Sequence, residues 1–183
     1  MDLQELLMLR ALRIVKMVRL DKLIRFNGSA YKITDYFKGL EKTRVVKRIF
    51  GERTREILEN VRIEFTWLGG YMWVNNMNGH IMISSKYLNT GNKIDVYLDI
   101  VHELVHVRQF MEGKELFDSN YDYVERPTEI EAYRYAVEEA RNLGLDDKRI
   151  CEYLKTEWMN QDDLKRLANI LNVKCELELN GAH

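Results

Sequence analysis

The run His102-Glu103-Leu104-Val105-His106, set in a stretch of helical period, constrains this 183-residue chain more than any other feature. Val96, Ile100, Val101, Leu104 and Val105 recur on an apolar flank that a helix would bury, with Asp95 as the expected N-cap and Gly113 as the expected stop. Uncharged Leu104 and Val105 fill the middle of the run, and Val101 and Val107 flank it, as in a helix sunk in a core. Residues four apart on a helix lie one above the other. His102 and His106 would therefore present two imidazoles from one rigid face, and buried imidazoles need partners.

One metal ion can satisfy both rings. Zn²⁺ suits them, with Zn–N distances of about 2.0–2.1 Å and a tetrahedral preference that leaves places for a third protein ligand and a water. Glu103 is set beside that water rather than the ion, where a carboxylate can take and return a proton. This is the H-E-x-x-H pattern of metallopeptidases. The five residues alone also fit a helix with two histidines packed for other reasons, so the third ligand matters.

Three carboxylates compete for that place: Glu125, Glu129 and Glu131. From about Thr128, with Pro127 at its entrance and Gly144 beyond its end, the chain reads as a second helix. Glu129 shares a stripe with Ala132, Ala136 and Ala140, small residues that admit a close neighbour. Glu131 falls with Arg134, Glu138 and Arg141 on a charged face, and with Thr128 it matches a capping box. Glu129 is thus the preferred third ligand, ahead of Glu131 and then Glu125.

His-Glu-Leu-Val-His followed by Arg126-Pro127-Thr128-Glu129-Ile130-Glu131-Ala132-Tyr133-Arg134-Tyr135-Ala136 resembles the gluzincin clan of zinc peptidases, especially minigluzincins and ImmA/IrrE-type domains. The resemblance covers about residues 60–145. It implies a zincin-like core, one Zn²⁺ ion, a glutamate helix whose E-x-x-A pattern falls on Glu129 and Ala132, and hydrolysis of a peptide or protein substrate with Glu103 as general base. Tyr133 departs from the Asn common in ImmA/IrrE-type domains. Some gluzincins steady the oxyanion with a tyrosine or histidine outside the zinc ligands, which makes Tyr121, Tyr123 and Tyr133 candidates, with His80 behind them. Some minigluzincins are held latent by terminal segments, and Cys175 or His183 would be the capping residues here. ImmA/IrrE-type domains often work beside DNA-binding regulators. The alternative is therefore a regulatory or nucleic-acid-binding protein with a structural or latent zincin domain.

Around the two metal-binding segments the chain reads as α+β. Val61, Ile63, Phe65 and Trp67 alternate with polar residues, Gly69-Gly70 suggests a tight turn into residues 71–75, and Asn78-Gly79 another into residues 80–84. The expectation is a three-stranded antiparallel sheet, with the 80–84 strand at its edge as a docking ledge for a peptide. Residues 3–26 read as an amphipathic helix with Arg or Lys at every third position from Arg10 to Arg25, followed by one or two basic helices over 31–59. Two units follow: a basic helical extension, 1–59, and the metallopeptidase domain with C-terminal helices, 60–183.

Net charge is −1, but residues 1–60 hold 14 Lys and Arg against 8 Asp and Glu, and the remainder 14 against 21. The basic helices could dock on the core, pair subunits in an oligomer, or meet nucleic acid or an anionic membrane surface. No transmembrane segment or secretory signal is read. Cys151 and Cys175, without C-x-x-C spacing, are expected as reduced thiols in a cytoplasmic protein. After Gly144 come a helix with Ile150, Leu154 and Trp158, another with Leu164, Leu167, Ala168 and Leu171, and an alternating strand over 173–179.

Overall fold

The computed structural model describes residues 10, 13, 17 and 29–176. Four short strands form one mixed sheet: β1 (Ala30–Lys32), β2 (Arg62–Thr66), β3 (Met72–Val74) and β4 (Ile81–Ser84). Their order is β1-β2-β4-β3. β2 runs parallel to β4, with Ile63 opposite Ile81 and Phe65 opposite Ile83, while β1 and β3 are antiparallel to their neighbours. The architecture is α+β as expected, but the three-stranded antiparallel sheet is corrected. Only β3 and β4 form a hairpin.

The difference lies in the two turns. Residues 75–80 close the hairpin with the Gly79 N–H donating to the Asn75 C=O at 2.8 Å, and Gly79 takes the left-handed φ of 72°. The Asn75 and Asn78 side chains brace it by accepting from the N–H groups of Met77 and His80. Gly69-Gly70 makes no such hairpin. The Leu68 N–H donates to Thr66 Oγ1, the strand ends, and residues 67–71 cross to the far side of β4. Ile81 and Ile83 are fully buried and β4 is paired on both sides. It is therefore an inner strand, and the edge expected at residues 80–84 belongs to β3.

Eight α-helices surround the sheet among the described residues. α1 (Ile33–Tyr36), α2 (Arg44–Phe50) and α3 (Thr54–Asn60) precede β2; α4 (Ser85–Thr90) and α5 (Lys93–Met111) follow β4; α6 (Pro127–Asn142), α7 (Asp147–Leu154) and α8 (Gln161–Ile170) complete the chain. α5 is the central element. From Val96 to Val107 nearly every side chain is buried, so it is enclosed on all sides rather than amphipathic. Its N-cap is Asn92, whose side chain accepts from the Ile94 N–H, and not Asp95, which sits in the first turn and pairs with Arg149.

α6 lies against α5 along the stripe of Glu129, Ala132, Ala136 and Ala140, all buried. Side chains the size of alanine let the two helices approach closely. Tyr97 on α5 donates to Glu139 on α6 at 2.7 Å, a second tie within the interface. The expected capping box of Thr128 and Glu131 does not form. Thr128 instead donates to the Leu116 C=O, and the α6 N-cap, Arg126, has no side-chain cap.

One apolar cluster runs from Ile33 and Phe37 to Leu171 and Val173, across the boundary drawn between residues 59 and 60. The helix expected over 3–26 lies outside the described residues except at Arg10, Arg13 and Met17. There, Met17 packs on the core and its C=O accepts from the Lys38 N–H at 2.8 Å, while Arg10 donates to the Asn142 C=O. Asp146 caps α7 as expected, but that helix ends at Leu154 and leaves Trp158 in the following connection. Residues 173–176 form no strand, and 177–183 lie outside the described residues. Among the described residues no helix is long and apolar enough to cross a membrane.

The two cysteines are joined: Cys151 on α7 and Cys175 form a disulfide with Cα atoms 5.4 Å apart. The reduced-thiol reading is corrected, and Cys175 is not at the metal-binding segments. Burial of Ile150 and Val173 brings the two sulfurs together, a long-range pairing that no local spacing reveals. Closing a loop of 24 residues restricts the unfolded chain. Cys175→Ser is expected to lower the unfolding free energy by about 2–4 kcal/mol in urea denaturation, and the difference should vanish when both proteins are reduced.

Candidate metal centre

His102 and His106 sit one turn apart on the buried middle of α5, and Glu129 enters from the first turn of α6. The Nε2 atoms of the two rings are 2.9 Å apart, and Glu129 Oε2 lies 3.3 Å from His102 Nε2 and 3.5 Å from His106 Nε2. All three side chains are buried, and their ligating atoms fall within 4.8 Å of one another. Atoms bound about 2.0–2.1 Å from one tetrahedral ion stand roughly 3.3–3.4 Å apart. The triangle formed here matches that spacing within a few tenths of an ångström.

Its hydrogen bonding also fits a cation. Two facing Nε2 atoms can share at most one useful proton, so one lone pair is left facing another nitrogen or a carboxylate. Glu129 Oε2 and His102 Nδ1 are buried without an aligned hydrogen-bond partner. Burial pushes the Glu129 carboxyl up, yet the two imidazoles hold it far below the usual carboxylate range. Burial lowers His102, whereas at His106 the same burial is outweighed by Glu129, which raises that ring to about 9. The three groups together thus favour one positive charge where they meet, as a buried carboxylate must be paired. A divalent ion held there would supply it.

Glu103 points from the same helix into the adjoining cleft. Burial drives its carboxyl up to about 8, against the pull of His106, while the Val74 N–H of β3 donates to it. Among the described residues its Oε2 has no hydrogen-bond partner, and that oxygen is left for a proton-bearing group.

The cleft, about 230 Å³, is lined by the three ligand candidates, Glu103 and a set of rings: Tyr71, Trp73, Phe117, Tyr123 and Trp158. Of the three tyrosines singled out from the sequence, Tyr123 lines it. Tyr133 lies behind, its hydroxyl 2.9 Å from that of Tyr123 and its ring 4.4 Å from His102. Burial raises both phenols well above their ordinary value, so both remain protonated. Tyr121 is 47% exposed and does not line the cleft.

Glu131 is not with the histidines. It accepts from Arg108 and Gln109 and pairs with Lys114 on the far side of α5. Glu125 pairs with Arg166, and His80 with Glu64 beside a separate groove. Two contributors escape a reading by motif. Gln109, fully buried, bonds His106 Nδ1 at 2.7 Å, and Trp158 forms a cleft wall from the connection after α7. The position of Gln109 one turn beyond His106 is the one local signal that could have found it.

Compared with protein-family models, curated proteins and solved structures, the chain matches none. The centre therefore rests on its own geometry. The protein is expected to take up one divalent ion per chain in equilibrium dialysis. Glu129→Ala should abolish stoichiometric uptake and Glu131→Ala should retain it. Ion at one hundred times its dissociation constant should raise the unfolding free energy of the native chain by about 2.7 kcal/mol.

Proposed function

We propose that this chain is a zinc-dependent metallopeptidase of the gluzincin type, built on a zincin-like core. The observation that carries the proposal is the meeting of His102, His106 and Glu129 from two helices, with Glu103 free to face the cleft beside them. Zinc fits the two-imidazole, one-carboxylate donor set and, when bound, would supply Lewis acidity toward a carbonyl oxygen and a water.

The remaining work falls to the chain itself. Glu103 accepts a proton from the water that attacks the scissile carbonyl carbon and delivers it to the nitrogen as the C–N bond breaks. Tyr123, protonated and at the cleft, is the hydroxyl available to donate toward the developing oxyanion, with Tyr133 holding it from behind. On either side of β3, Tyr71 accepts from the Ser84 N–H and Asn75 donates to the His80 C=O, so the backbone groups of Met72 point to the open side. A peptide added there as a further strand would run past Glu103, which Val74 already holds.

Among the described residues the cleft presents no lysine, arginine or aspartate. Its walls are aromatic, and Trp158, 55% exposed, packs tilted against Tyr71 with ring centroids 5.5 Å apart. The substrate this favours has a bulky apolar side chain beside the scissile bond.

Glu103→Gln is expected to retain zinc and lose peptide cleavage by at least 10²-fold, the usual weight of a general base. Cleavage that survives in the zinc-loaded variant would refute the mechanism. Trp158→Ala should raise KM for a peptide bearing Phe at the cleft by roughly 3–10-fold, with little change for the Ala counterpart. Equal effects on the two peptides would remove the aromatic preference.

A further inference from the structure

Gln109 lies three residues beyond His106 on α5 and is wholly buried, where a primary amide must be satisfied or costs stability. Its partners determine which way the amide faces. The Thr128 C=O, 3.0 Å away, can only accept, and so can Glu131, a carboxylate paired with Arg108 and Lys114 and 2.8 Å away. Both sit at the amide nitrogen. The amide oxygen is left for His106 Nδ1, at 2.7 Å. Because that oxygen has no hydrogen to give, Nδ1 must carry it, so Nε2 is the nitrogen that can give up its proton and turn a lone pair toward His102 and Glu129.

We infer that Gln109 is a positioning residue that locks His106 in its metal-binding tautomer and couples that ring to the helix bearing Glu129. Thr128 and Glu131 flank Glu129 on α6, so one side chain spans both halves of the centre. Among the described residues His102 has no matching partner. Its Nδ1 is unbonded and its ring is held by packing on Tyr133. Orientation by hydrogen bonding is therefore concentrated on one of the two imidazoles. The inference rests on the metal reading of the centre but not on peptide hydrolysis.

The test is zinc affinity, by competition with a chromophoric chelator, together with ¹⁵N-resolved NMR of the histidine rings in the zinc-loaded protein. Wild type should show a His106 Nδ1–H protected from exchange. Gln109→Met, of similar shape without hydrogen bonding, should weaken zinc by about 10–100-fold and lose that protection. Gln109→Glu keeps an acceptor for Nδ1 but sets a carboxylate against Glu131 and the Thr128 C=O, so it too should bind weakly. Adding Glu131→Gln gives that carboxylate an amide donor in place of Glu131, though not at Thr128, and should recover affinity several-fold over Gln109→Glu and restore the protected Nδ1–H.

A structural role alone predicts no such rescue. Unchanged affinity and NMR signal in Gln109→Met would overturn the inference. Should that variant fail to fold, a double variant no tighter than Gln109→Glu would overturn it equally. Wild-type protein that takes up no zinc would instead overturn the metal reading beneath it, which keeps the two failures apart.

Discussion

Three polar side chains, two imidazoles and a carboxylate, are gathered nearly buried at the wall of a cleft in an apolar core, where little water is at hand to solvate them. Such a group is stable only if its lone pairs and its negative charge are met together. Most of the molecule can be read as the means of meeting them. α5 is buried on all sides so that His102 and His106 are held by a helix with no freedom to swing outward. α6 offers an alanine stripe so that Glu129 can come close enough. The Tyr97–Glu139 bond fixes the two helices further along.

Around this centre, polarity is unevenly distributed. Gln109 and Glu131 form a hydrogen-bonded and ionic network on the side of α5 facing Arg108 and Lys114. The cleft side is aromatic, apart from Glu103 and the tyrosine hydroxyls. Trp158, part of that wall, lies in the loop closed by the Cys151–Cys175 disulfide. Arg166, in the same loop, ties it to Asp122 and Glu125 just before α6. The C-terminal helices are thereby attached to the cleft as well as to the core.

Much of the centre was legible in the residues. The four-residue spacing of His102 and His106 can be read because helix period is local, and Glu129 could be chosen over Glu131 because the alanine stripe marks the face that meets another helix. The same reasoning misjudged Glu131 as a capping residue, since its partners Gln109 and Arg108 on α5 and Lys114 just beyond that helix outcompete a local cap. It passed over β1, three residues long and recognisable only by its pairing with β2. It also placed β4 at an edge, because alternation reports which face a residue takes and not which strand lies beside it.

What the sequence determined by itself was therefore the short-range chemistry: which side chains share a helix face, which segments alternate, and which donor set could hold an ion. Strand order, the pairing of Cys151 with Cys175, the amide orientation of Gln109 and the placing of Trp158 at the cleft were decided by tertiary structure alone. The physical reason is range. Helix and strand periods are set by backbone geometry over a few residues, whereas these four features depend on which distant segments compete best for the same buried surface and the same hydrogen-bonding groups.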